Sequence, residues 1–263
     1  MSARKLRLVA TAVTLAATGC ASVPNECFDR RPAGATSCAS VDGGYFRFVP
    51  GEPEPDYRDL CSATCIDFNG QIDVSGRELT EVPLLGKIRR IQGLGIDVAN
   101  LTNLAGLEEI ESIDDLGLFS ATASETLTSL KGLKARQIGT LTLKRALGLT
   151  GLGDAELGHI GLLSSESSGL QRLDLSAVEV DTLIVTSNAR LASLSLGGRT
   201  MTGVELRGNT ALVDLSWAPG IGISKYFTFS GNSSLSSCTI QRLQTEAAGP
   251  QVRPLVQGNG PCP

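Results

Sequence analysis

A twelve-residue frame that returns three times in succession places the strongest constraint on how this chain folds. It reads LIVTSNARLASL at 183–194, VELRGNTALVDL at 204–215 and FTFSGNSSLSSC at 227–238. Aliphatic or aromatic residues hold places one and three, Asn holds place six and Leu holds place nine. Asn188, Asn209 and Asn232 are spaced by 21 and 23 residues. A period of roughly 22 residues, with Asn following a short apolar strand, predicts a solenoid in which each repeat is one coil.

Looser copies extend the frame toward the N-terminus. LTLKRALGLTGL at 141–152 puts Ala146 in the Asn place, and IDVANLTNLAGL at 96–107 puts Leu101 there. IGLLSSESSGLQRL at 160–173 has two extra turn residues and puts Ser165 there. A longer copy between Leu116 and Leu133 carries the polar insertion SATASET. The spacings predict about seven coils between Ile96 and Cys238.

Within one coil, places one and three, such as Val204 and Leu206, share the inward face of a short strand, and place two points the other way. The chain then turns. A buried Asn offers both acceptor and donors to main-chain groups that the turn leaves unpaired, and losing such a bond costs roughly 1–3 kcal/mol. Leu212 and Leu215 re-enter the core, as Leu191 and Leu194 do one coil earlier. Only 4% of residues are aromatic, in keeping with ladders of aliphatic side chains. Asn188, Asn209 and Asn232 are therefore expected to form a structural ladder.

The pattern V180-x-x-L183-x-V185-x-x-N188-x-x-L191 resembles the leucine-rich repeat, with one extra residue after the Asn. The stretch IQGLGIDVANLTNLAGLEEIESIDDLGL at 91–118 is more similar to the receptor L-domain variant. The resemblance covers roughly residues 70–245 and implies a mainly β, right-handed parallel solenoid with one strand per coil. Such coils serve many binding roles, so the likeness speaks to fold more than to function. Cys61-x3-Cys65 followed by QIDVSGRELTEVP resembles the N-terminal cap of extracellular leucine-rich-repeat proteins. Ser75, Gly76, Leu79, Val82 and Pro83 match that cap, but two of its cysteines are missing, so its disulfide pairing does not carry over.

At the other end, TIQRLQTEAA reads as a short amphipathic capping helix, with Ile240 and Leu243 on one side, Ser236 or Ser237 as N-cap and Gly249-Pro250 as the stop. A Cys238–Cys262 disulfide would pin the tail over the last coil.

The N-terminus carries Arg4, Lys5 and Arg7, then a short apolar segment from Leu8 to Ala17, then Ala17-Thr18-Gly19-Cys20. It resembles a bacterial lipoprotein signal, with Ala17 where the lipobox usually has Leu. The resemblance implies cleavage after residue 19, a lipid on Cys20 and, with Ala21 following, an outer-membrane address on either the cell-surface or the periplasmic side. Several acyl chains hold a protein on a membrane where one does not. The apolar run is short of the ~20 residues a membrane-spanning helix needs.

The seven cysteines fit this reading. Assigning Cys20 to lipid leaves an even set for disulfides in an oxidising compartment. Cys238 is expected to pair with Cys262, and Cys27, Cys38, Cys61 and Cys65 to pair among themselves in an open arrangement. Residues 20–57, rich in Pro, read as a tether, and 58–263 as the capped solenoid. Without residues 1–19 the formal charge falls from −4 to −7. That charge disfavours nucleic acid and broad attraction to anionic membrane.

Catalytic and metal signatures are sparse. The single His159 reads as a turn residue before the Ile160 strand. No Gly-x-Ser-x-Gly or His-Glu-x-x-His occurs. Glu108, Glu109, Glu111, Asp114 and Asp115 lack calcium-loop spacing and read as a solvated turn face. No cofactor is expected. The outward face of the repeated strands is the remaining candidate for binding a protein or glycan: Lys144, Leu163, Ile184, Thr186, Glu205 and Arg207. The favoured reading is a non-catalytic recognition or adhesion lipoprotein. The alternatives are a structural envelope protein that self-associates or joins a membrane complex, and a β-helical carbohydrate-active enzyme using Asp97, Lys144, Glu205 and Arg207.

Overall fold

The computed structural model describes residues 6–7, 38–48, 65–75, 80, 85–120, 125–153, 155–198 and 200–262. Cys20, Cys27, Cys61 and the cap-motif residues Gly76, Leu79, Val82 and Pro83 lie outside them, as does most of the expected signal segment. Strand makes up 48% of the described residues and helix 6%, so the described coils are stacked strands without a helix in each repeat. They form a parallel β-solenoid of about seven turns.

The strands in chain order are β1 (Leu6–Arg7), β2 (Ala39–Phe48), β3 (Ile66–Val74), β4 (Ile88–Asp97), β5 (Ser112–Phe119), β6 (Gln137–Lys144), β7 (His159–Glu166), β8 (Arg172–Asp174), β9 (Glu179–Thr186), β10 (Ser193–Leu196), β11 (Thr200–Arg207), β12 (Asp214–Trp217), β13 (Gly222–Ser230) and β14 (Arg253–Gln257). The main sheet has eleven strands in the order β1-β2-β3-β4-β5-β6-β7-β9-β11-β13-β14. A second, three-stranded sheet, β12-β10-β8, backs the later coils. Among the described residues there is one helix, α1 (Ser237–Ala247), which precedes β14. It falls short of the ~20 residues a membrane span needs, and among the described residues no helix is long and apolar enough to cross a membrane.

Register explains the core. Leu94, Leu116, Leu141, Leu163, Leu183, Val204 and Phe227 occupy one column across β4 to β13, and every one is buried. A second inward column, Ile113, Ile138, Ile160 and Val180, lies three residues earlier on β5, β6, β7 and β9. Two successive residues between these columns lean outward in each strand. This step breaks the period of two, and with it the parity that a sequence pattern follows. It corrects the frame at 160–173: place one is Leu163, not Ile160, and Ser168, not Ser165, stands at the Asn place. At 96–107 place one is Leu94. Leu94, Ile96 and Val98 alternate without interruption, so the apolar pattern alone fits either of two frames. Leu101 is a core residue beyond the Asn place.

The turn after each strand repeats as well. Arg145, Ser167, Ser187, Gly208, Gly231 and Gly258 all have φ between 51° and 67°. They follow the register column Lys144, Glu166, Thr186, Arg207, Ser230 and Gln257. Each main-chain N–H of the first five donates to the last strand residue of the next coil, as from Ser187 to the Arg207 carbonyl at 2.8 Å. Left-handed backbone suits Gly and strains other residues, so three of the six turns hold a side chain in an unfavourable conformation.

Two parts of the array differ from the sequence expectation. β2 lies within the stretch read as a tether, yet it pairs in parallel with β3 from Ala39↔Ile66 to Phe48↔Val74. Its run Tyr45-Phe46-Arg47-Phe48 is strongly β-prone, and Cys38 is disulfide-bonded to Cys65 at the start of β3. At the other end α1 does not close the array. It sits inside a further coil, between β13 and β14, and buries Ile240, Leu243 and Ala247. Ser236 is its N-cap but makes no side-chain cap bond, and the Ser236 hydroxyl is buried without a partner among the described residues. The Trp217 indole N–H donates to Glu246 at 2.8 Å and the Arg242 guanidinium lies 4.7 Å from the Trp217 ring centre, which fixes α1 against β12. Cys238 and Cys262 are disulfide-bonded, joining the start of α1 to the residues after β14.

Candidate functional site

The Asn column is scaffold. The Asn188 side-chain amide donates to the Ser165 and Thr186 carbonyls at 3.1 and 3.0 Å. Its Oδ1 accepts the Ser168 main-chain N–H at 2.9 Å and the Ser165 hydroxyl at 3.1 Å. Asn209 and Asn232 repeat the arrangement, donating to Val185 and Leu206 in the coil before. Asn259 extends it: its amide donates to the Phe229 carbonyl at 2.8 Å, and its Oδ1 accepts from the Asn232 main chain at 3.2 Å. The tripeptides Arg207-Gly208-Asn209, Ser230-Gly231-Asn232 and Gln257-Gly258-Asn259 share the turn, and this Gly-Asn signal marks the fourth Asn in the sequence.

On the solvent face of the main sheet, the predicted binding residues do not converge. Leu163 is fully buried in the inward column; Ser164 and Glu166 are its outward neighbours. Ile184, Glu205 and Thr228 fall in one outward column, and Lys144, Glu166, Thr186 and Arg207 in another. The charges are engaged locally: Lys144 pairs with Glu166 at 3.0 Å and Arg207 with Glu205 at 2.8 Å. Asp97 accepts the Ala99 main-chain N–H at 3.0 Å. Of Asp97, Lys144, Glu205 and Arg207, only the last two bond to each other among the described residues. His159 opens β7 instead of lying in a turn, and its Nε2 is 3.0 Å from Asp181 on β9. No group of His, Cys, Asp or Glu among the described residues could hold a metal ion.

A groove among the described residues lies elsewhere, at the starts of β2 to β6. Its volume is about 580 Å³. Ser40, Asp67, Arg90, Ser112 and Gln137 share one register column along it, with Asn69, Gln92, Asp114, Glu111 and Arg136 beside them. Phe68 and Ile91 also line it, but each is only 2% exposed, so the accessible wall is polar. Asp67 is held by Arg89 through two bonds, Nε at 3.0 Å and Nη2 at 2.6 Å; that pairing keeps the Arg89 guanidinium above its ordinary pKa. Farther along the strands, the Tyr45 phenol donates to Asp73, and this bond raises the Tyr45 pKa. Nothing in the sequence pattern marks the groove, because its residues differ from coil to coil and meet only through register.

Fold and groove together define a parallel β-solenoid whose solvent face carries a polar cleft. No family model, curated protein or solved structure matches the chain.

Proposed function

We propose that this protein is a lipid-anchored, non-catalytic recognition module of the bacterial envelope, held to the outer membrane through Cys20. The observation that carries the recognition reading is the open cleft on a rigid parallel sheet, since stacked coils present fixed, extended surfaces suited to binding. The anchor reading rests on the Ala-Thr-Gly-Cys motif at 17–20. A structural role draws support from β14, whose Leu255 and Val256 are exposed at the edge of the sheet.

Fractionation of cells carrying Cys20→Ala tests the anchor: the variant is expected to leave the membrane fraction, and unchanged attachment rejects the assignment. Protease shaving of intact cells then separates surface from periplasm. Cross-linked pull-down from envelopes tests recognition against self-association: a distinct envelope component supports the first, and only further copies of the chain support the second.

A further inference from the structure

We propose that the groove across the starts of β2 to β6 binds a neutral polysaccharide chain; the inference rests on the recognition reading and names its ligand. The first argument is charge. Arg90 and Arg136 have no ion-pair partner among the described residues, but Glu111 and Asp114 line the same cleft, and Asp67 is neutralised by Arg89. With Arg89 counted, the acidic side chains Asp67, Glu111 and Asp114 along the cleft are matched by Arg89, Arg90 and Arg136, a balance that gives a polyanion no excess of positive charge to bind.

The second argument is the character of the wall. Peptide and protein ligands bind chiefly through aromatic or aliphatic anchors seated in apolar pockets. Here the apolar groups are floor, with Phe68 and Ile91 almost wholly covered by their neighbours. What remains is guanidinium donors, carboxylate acceptors and the amides of Gln92 and Gln137, which both donate and accept. Sugar hydroxyls also donate and accept, so a polyhydroxylated chain can satisfy such an interleaved set where a purely anionic or apolar ligand leaves members unpaired.

The third argument is shape. The groove runs across five strands rather than into the core. Its register column is thus roughly 19 Å long, four spacings of ~4.8 Å. A repeating ligand laid along it meets a new polar side chain at each coil.

The test is binding of the full chain, extracted in detergent, to an array of neutral glycans (dextran, xylan and mannan fragments), acidic glycans (polygalacturonate and heparin fragments) and unstructured peptides. The wild-type chain and an Arg190→Ala control are expected to retain a neutral glycan. Arg90→Ala and Gln137→Ala, both exposed sites, are each expected to lose about tenfold in affinity or more, the range for hydrogen bonds to charged or paired polar groups, with unchanged circular dichroism. Preference for acidic glycans or peptides, no neutral glycan bound, or affinity indifferent to both groove substitutions overturns the proposal. Recovery of a distinct component in the envelope pull-down keeps the recognition reading intact even then; loss of both results removes the two together.

Discussion

The main-chain N–H of Asn188 donates to Oδ1 of Asn209 in the next coil, 3.0 Å away, and both side chains are fully buried. The same Asn209 donates back to the Val185 carbonyl at 2.9 Å. Asn209→Ala therefore leaves the buried Asn188 N–H without a partner and removes one of two donors to the Val185 carbonyl, which keeps the Arg207 N–H of the strand ladder. Urea unfolding is expected to show a loss on the order of 1–3 kcal/mol. Asn209→Asp is expected to be destabilising as well, since a carboxylate keeps the acceptor, loses the donor and places a charge in the core.

The left-handed turn column predicts opposite effects at adjacent coils. Ser187→Gly relieves a side chain held at φ 57° and is expected to raise stability by up to about 1 kcal/mol. Gly208→Ala is expected to lower it by about 1–2 kcal/mol. The added methyl meets nothing closer than 3.7 Å, so the cost is conformational rather than steric. Thermal unfolding of the two single variants measures both.

The Cys238–Cys262 bond encloses a sequence separation of 24 residues that includes α1 and β14. Chain-entropy arguments assign a loop of that length about 3.5 kcal/mol. Cys238→Ser with Cys262→Ser is expected to make the segment after Gly249 sensitive to protease while the Asn ladder persists. Limited proteolysis read by mass spectrometry locates the first cut.

Pro254 protects the open edge. Gln257 accepts the Gly231 N–H, so in a parallel pairing residues 253, 255 and 257 face β13 and Pro254 faces the free side. Proline there removes a donor from an edge that could otherwise template another chain. Pro254→Thr is expected to promote self-association, visible as a mass increase with concentration in light scattering; a monodisperse variant would count against the edge role.

Much of this architecture was legible in the residues. Asn188, Asn209 and Asn232 stand out because aliphatic or aromatic residues hold places one and three before each and the turn after each is the same. Asn259 escaped the pattern because α1 lengthens its coil and Pro254 takes the place that Leu183, Val204 and Phe227 hold. Leu163 shows the limit of periodicity: a step of three between Ile160 and Leu163 reverses inside and outside, and nothing in the composition of 160–163 announces it. The groove was the least legible part. Ser40, Asp67, Arg90, Ser112 and Gln137 are unlike in chemistry and far apart in sequence. Only the pairing of successive strands makes neighbours of them.

The ladder of buried bonds runs from Ser168 to Asn259, whereas Ala146 and Ala99 stand at that place in the coils of β6 and β4. The two halves of the solenoid therefore have different local stability, because each coil leans only on its neighbours. Main-chain protons at Asn188, Asn209 and Asn232, each held by a side-chain oxygen of the next Asn, are therefore expected to be among the slowest to exchange. Those of the coils before Ser168 are expected to exchange sooner, which residue-resolved hydrogen exchange would read directly.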